Sequence, residues 1–158
     1  MKVLSFLLFL VILFSNNISF AQDKPKAAAI TATENCSDVL VHSRLVEANQ
    51  ELEAKAYKLV SFSSENLKSN AFKYVRLECK AGEEYEIRYV LGRKTKRYQL
   101  YVLAEQSEYV VQSKQSLEKG SINLIKERFK ATKDGVYVLF YAQRAKGSNC
   151  VGLSVFKK

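Results

Sequence analysis

Two periods of hydrophobicity divide the chain. In residues 37–57, SDVLVHSRLVEANQELEAKAY, the apolar positions Val41, Leu45, Ala48, Leu52 and Ala56 recur three or four residues apart, which is the spacing of one helix face. Ser37 or Asp38 can cap the start, and the run holds no glycine or proline. Glu47, Glu51, Lys55 and Lys58 fall mostly off the stripe. The pattern predicts an amphipathic helix of about five turns. After Tyr57 the period becomes two, and strands are expected near 58–63, 72–79, 84–91, 97–104, 108–113, 121–131, 135–142 and 150–156. Lys80-Ala81-Gly82, Gly92-Arg93-Lys94, Lys119-Gly120, Lys133-Asp134-Gly135 and Gly147-Ser148-Asn149 supply the turns between them. Many short strands at this spacing predict a mainly β fold, an antiparallel sandwich with one N-terminal helix.

The run FKATKDGVYVLFYA, residues 129–142, shows where the helix is expected to sit. Val136, Val138 and Phe140 point one way and Tyr137, Leu139 and Tyr141 the other. A strand with one wet face alternates apolar and polar residues, and this one is apolar on both. The spare apolar surface in the chain is the stripe of the 37–57 helix. The helix is therefore expected to dock outside the sheet that contains 135–142, over Tyr137, Leu139 and Tyr141. By contrast, Tyr85, Ile87, Tyr89 and Leu91 alternate with Glu86 and Arg88, the pattern of a half-buried strand.

The first residues change the compartment. MKVLSFLLFLVILFSNNISFAQDK has Lys2, an apolar run from Val3 to Phe14, and small residues at Ser19 and Ala21. This is the pattern of a secretory signal peptide cleaved after Ala21. A membrane anchor is the rival reading, but about 12 apolar residues are short for about 30 Å of hydrocarbon. Residues 22–35, QDKPKAAAITATEN, contain the only proline, Pro25, and no periodicity; they are expected to form a flexible lead-in. One domain over 36–158 follows.

Export gives the three cysteines a meaning. Cys79 shares parity with Val75 and Leu77 and is expected to point into the core. In CVGLSVF, Val151, Leu153 and Val155 take the inward parity and Cys150 the outward one. Residues on opposite faces of a sandwich sheet are poor disulfide partners, because the bond needs Cα atoms within about 7 Å. The expected bridge is therefore Cys36–Cys150, with Cys79 a buried small hydrophobe.

The succession AGEEYEI at 81–87, QLYVL at 99–103, FKATKDGVYVLFYA at 129–142 and the final CVGLSVF resembles the bacterial pre-peptidase C-terminal domain and similar jelly-roll modules. These carry an aG-x-x-Y-x-i strand followed by an f-x-a-x-x-x-G-x-Y-x-l strand. The resemblance covers about residues 70–156 and departs at Arg97-Tyr98-Gln99-Leu100, where the family often has an acidic-leucine step. It implies a jelly-roll-like β-sandwich accessory module without implying a particular ligand.

The formal net charge is +9, and it falls to +8 without the one lysine of the leader. Such a balance suits solubility or attraction to anionic surfaces. Catalytic chemistry finds little support. His42 is the only histidine and lies off the apolar stripe of the helix. A Cys–His pair would need a thiol that is neither buried nor oxidised. Glu83, Glu84 and Glu86 cluster where a strand begins, but they lack the alternate acidic spacing of a calcium loop and read as a solvated edge. No phosphate-binding glycine loop or G-x-S-x-G elbow is present. No catalytic residue, metal ligand or cofactor is expected.

Binding is the more open class. The basic segment GRKTKRY at 92–98 brings Arg93, Lys94, Lys96 and Arg97 together, either to capture anions or to keep a hairpin solvated and its edge unpaired. Tyr101 and Tyr109 could stack a sugar, or lie at sheet edges or under the helix. The sequence thus predicts an exported, non-enzymatic binding or structural module of the cell envelope. Its expected partner is an envelope protein, a polysaccharide or an anionic surface, and not nucleic acid. A small envelope hydrolase and a binder of anionic polymers or membranes through the basic hairpin are the alternatives.

Overall fold

A computed structural model describes residues 36, 38–104 and 108–158. The expected leader and lead-in lie outside the described residues. Helix α1 spans Val39–Glu53. The Asp38 carboxylate caps it, accepting from the backbone N–H groups of Leu40 at 3.0 Å and Val41 at 3.4 Å, so two orphan donors of the first turn are satisfied. The helix stops as Ala56 turns into positive φ (62°) and the Tyr57 N–H closes back on the Leu52 carbonyl.

Eight strands follow: β1 Lys58–Leu67, β2 Phe72–Cys79, β3 Glu84–Leu91, β4 Thr95–Leu103, β5 Tyr109–Ser116, β6 Asn123–Lys130, β7 Gly135–Ala145 and β8 Asn149–Lys157. They form two antiparallel four-stranded sheets, ordered β1-β8-β3-β6 and β2-β7-β4-β5. The pairs β1·β8, β2·β7, β3·β6 and β4·β5 describe one long hairpin, rolled up so that β8 also meets β3 and β7 also meets β4. This is a jelly roll. Most connections therefore cross between the sheets. The basic segment at 92–94 is one of these crossings, from β3 to β4, and not the hairpin expected from the sequence.

The inner faces of both sheets close the core. Tyr85, Ile87, Tyr89 and Leu91 of β3 and Val151, Leu153 and Val155 of β8 meet Leu77 and Cys79 of β2, Leu100 and Val102 of β4, and Tyr137, Leu139 and Tyr141 of β7. Cys79 is buried and free, and Cys36 is bonded to Cys150 with Cα atoms 5.4 Å apart. Both agree with strand parity.

The docking of α1 differs from the expectation. The helix packs on β8, β3 and β1, outside the other sheet. Tyr137, Leu139 and Tyr141 face the core, so the outer side of β7 carries Val136, Val138, Phe140 and Ala142 instead. Parity cannot say which side of an all-apolar strand is inside. The helix stripe, Val41, Leu45, Ala48 and Leu52, is buried. Leu45 seats over Gly152 of β8, where an added Cβ would lie 2.6 Å from Leu45 Cδ2. Asn49 Oδ1 accepts from Ser154 Oγ at 2.6 Å.

Beneath the same helix, the polar residues of β3 are buried rather than solvated. Glu86 and Arg88 are both 0 % exposed and pair with each other. Glu86 also accepts from Arg128 Nε at 2.7 Å, and Glu51 of α1 reaches Arg88 at 3.6 Å and Lys126 at 3.1 Å. The solvated acidic edge expected at Glu83, Glu84 and Glu86 is thus corrected at Glu86. Charge in an alternating strand marks the side away from the core, and here a helix covers that side.

Candidate functional site

The outer face of sheet β2-β7-β4-β5 presents its side chains in registered rows. Tyr74 of β2 stands opposite Phe140 of β7, and Phe140 stands opposite Tyr101 of β4. The Tyr74 and Phe140 rings are 6.1 Å apart, and Tyr101 meets Tyr109 of β5 edge-on at 5.7 Å. Four rings thus cross four strands. Those on the edge strands, Tyr74 and Tyr109, are 65 % and 56 % exposed, while Phe140 and Tyr101 between them are half-buried. Phe72, opposite Ala142, adds a further exposed ring one pleat step along. β-Strands favour these side chains, and alternation delivers every second one to the same face.

Two residues beyond Ala142 the face becomes basic. Arg97 of β4 and Arg144 of β7 are direct cross-strand partners, and both are exposed. Lys114 of β5 stands opposite Gln99 in the next row, and Arg76 of β2 stands opposite Val138 on the far side of the rings. Among the described residues, no carboxylate lies within 4.0 Å of Arg76, Arg97, Lys114 or Arg144.

Where β2 begins, Phe72, Asn70, Arg97, Gln99 and Arg144 surround a cleft of about 210 Å³. Its floor is held by a buried polar network. Thr95 Oγ1 donates to Gln143 Oε1 at 2.6 Å, and Asn149 Nδ2 donates to Thr95 Oγ1 at 2.8 Å. Gln143 Nε2 donates to the carbonyls of Leu67 at 2.8 Å and Asn149 at 2.9 Å. Gly92 permits this close approach, because an added Cβ would lie 2.7 Å from Asn149 Oδ1 and 2.9 Å from the Cys150 carbonyl. A satisfied buried network of this kind fixes backbone position, and so fixes the strands that carry both arginines.

The basic residues singled out from the sequence do not act as one cluster. Arg93 and Lys94 occupy the exposed turn between the sheets, and Thr95 points inward with 1 % exposure. A register shift between Thr95 and Arg97 sets Lys96 apart and returns Arg97 to the outer face, as bulges re-aim side chains. Of the candidates, Arg97 and Tyr101 share the face; Arg93 and Lys94 do not belong to it. Phe72, Tyr74, Phe140 and Arg144 were missed. The first two were readable, because the parity that sends Val75, Leu77 and Cys79 inward sends Phe72 and Tyr74 out.

Other polar groups serve the fold. Tyr141 donates to Glu65 at 2.7 Å, and Lys73 pairs with Glu65 at 3.2 Å; burial raises the Tyr141 pKa. The Lys157 ammonium, with the Tyr85 hydroxyl, holds Glu83 down at about 2. His42 is exposed on α1, and burial pushes the Cys79 thiol up, away from the thiolate that nucleophilic chemistry needs. Among the described residues no group of three or more His, Cys, Asp or Glu is placed to hold a metal ion, and no helix is long and apolar enough to cross a membrane. What the open face can do is stack flat apolar surfaces and bind anions. Comparison with protein-family models and with curated protein sequences gave no match.

Proposed function

We propose that this protein is an exported, non-catalytic binding module of the cell envelope that holds a polysaccharide across the outer face of sheet β2-β7-β4-β5. One observation carries the reading: four aromatic rings, one from each strand, cross the outer face, with Tyr74 and Tyr109 exposed and Phe140 and Tyr101 half-buried between them, while α1 covers the opposite sheet. Contiguous exposed apolar surface on a folded domain marks an interaction site. The rings alternate with Arg76, Gln99, Gln112 and Lys114, so the face offers flat stacking surfaces framed by hydrogen-bond donors. That combination suits sugar rings, which have apolar faces and polar rims, better than an all-apolar partner.

Export is supported by the leader pattern and by the Cys36–Cys150 disulfide, since such bonds persist in oxidising compartments. The accessory role is supported by the resemblance of the strand pattern to pre-peptidase C-terminal domains. Affinity electrophoresis of the exported protein through gels containing envelope polysaccharide tests the reading. Tyr101→Ala and Tyr74→Ala should each release the retardation by about tenfold in Kd, or about 1.4 kcal/mol, with an unchanged unfolding midpoint. Equal retardation of wild type and both variants would contradict it.

A further inference from the structure

We infer that Arg97 and Arg144 form a carboxylate subsite, which makes the polysaccharide an acidic one with uronic-acid units. The inference rests on the aromatic platform being the ligand face, and names the chemistry at one end of it. Like charges directly opposite on neighbouring strands destabilise a sheet, with Cβ atoms about 4.5–5.5 Å apart. Arg97 and Arg144 are such a pair. Across the remaining neighbour, Arg97 faces Ser116 rather than an acid. Among the described residues neither arginine has a carboxylate within 4.0 Å. On the outer face of the other sheet, by contrast, the cations Arg88, Arg128 and Lys126 are paired with Glu86 and Glu51.

The cleft is shaped for a small anionic group. At about 210 Å³ it is smaller than the ~300–1,000 Å³ of pockets that enclose a whole ligand. It suits one unit of a chain that continues over the rings. Its lining contains two guanidinium forks, the amides of Asn70 and Gln99, one phenyl wall from Phe72, and no carboxylate. Guanidinium forks match a carboxylate bidentately. The amides can serve the hydroxyls beside it, and Phe72 its apolar face. Four residues separate Arg144 from Phe140, about 14 Å along the strand at ~3.4 Å per residue. A ligand of a few sugar units reaches both sites. The buried Thr95–Gln143–Asn149 network holds the floor, so the two guanidiniums spring from a fixed base.

The test is isothermal titration of the exported protein with polygalacturonate oligomers and with the same oligomers fully methyl-esterified. The acid form is expected to bind at least tenfold tighter. Arg97→Gln and Arg144→Gln should each bring the acid down to the affinity of the ester, while Arg97→Lys and Arg144→Lys fall between. Tyr101→Ala should weaken acid and ester alike. Thermal unfolding of each variant controls for folding. If acid and ester bind equally, or the glutamine variants keep the preference while Tyr101→Ala weakens both, the arginine subsite is overturned and the platform stands. If neither oligomer binds, both readings are overturned. Dextran sulfate and phosphatidylglycerol vesicles complete the set. Stronger arginine-dependent binding of either one than of polygalacturonate would overturn the assignment to uronate.

Discussion

At the scale of single residues, charge carries two opposite meanings in this molecule. Arg97 and Arg144 are exposed and unpaired by acids among the described residues, whereas Glu86 and Arg88 are fully buried and paired. Sequence parity places Arg97, Glu86 and Arg88 on outward faces and cannot separate them, because what covers an outward face is a tertiary matter. Arg97 and Tyr101 were legible as ligand candidates. Arg144 was not, because a sheet assembles its site across strands while a sequence reading groups neighbours along the chain. The buried pair makes a sharp prediction. Glu86→Gln should cost about 3–5 kcal/mol in denaturant unfolding, the range for a buried charge left without its partner. Replacing both groups, Glu86→Leu with Arg88→Met, should recover most of that loss. A harmless single change would mean that the pair is not buried. Cys79 gives a second prediction: one thiol should react with Ellman's reagent after denaturation and none before, and three thiols in the native protein would contradict the Cys36–Cys150 bridge.

At the scale of elements, the helix and all eight strands were readable from periodicity, with ends displaced by a few residues. The helix partner was not. Strand 135–142 looked as though it needed a cover because both its faces are apolar, yet α1 packs on the other sheet and the outer row of Val136, Val138 and Phe140 stays half-buried. Strand β3 looked half-wet, yet α1 lies over it. The missing information was the strand order, which brings β8 and β3 side by side with Gly152 as the seat for Leu45. Leu45→Ala and Leu52→Ala should each cost about 2–4 kcal/mol, and Gly152→Ala should also destabilise, by forcing Leu45 off its seat. Glu51 adds a pH dependence. Hydrogen bonds from Lys55 and then Lys126, with the charge of Arg88, lower its pKa from 4.5 to about 2. A depressed carboxylate stabilises the fold above its unfolded pKa, and that stability drains away as pH falls from about 4.5 to 2. Glu51→Gln should therefore flatten the fall of the unfolding midpoint across that window. Glu83, depressed in the same way, keeps part of the slope.

At the scale of the whole molecule, the jelly roll gives its two sheets different outer faces. One sheet is closed by α1, whose start is tied to β8 by a disulfide spanning 114 residues of sequence. A loop of that length is in the range where cross-linking stabilises most, by about 2–5 kcal/mol. Reduction should lower the unfolding midpoint without touching the open sheet. Among the described residues no helix covers the outer face of the other sheet, which carries rings across the middle and arginines at one end. The most direct test of that division is a map of backbone and tyrosine NMR shifts as polygalacturonate is added to the isotopically labelled native protein. The account predicts changes at Phe72, Tyr74, Arg97, Gln99, Tyr101, Phe140 and Arg144, with the signals of α1 and of Ser154 and Phe156 on β8 unmoved. Changes confined to α1 and the sheet beneath it, or none anywhere, would contradict it.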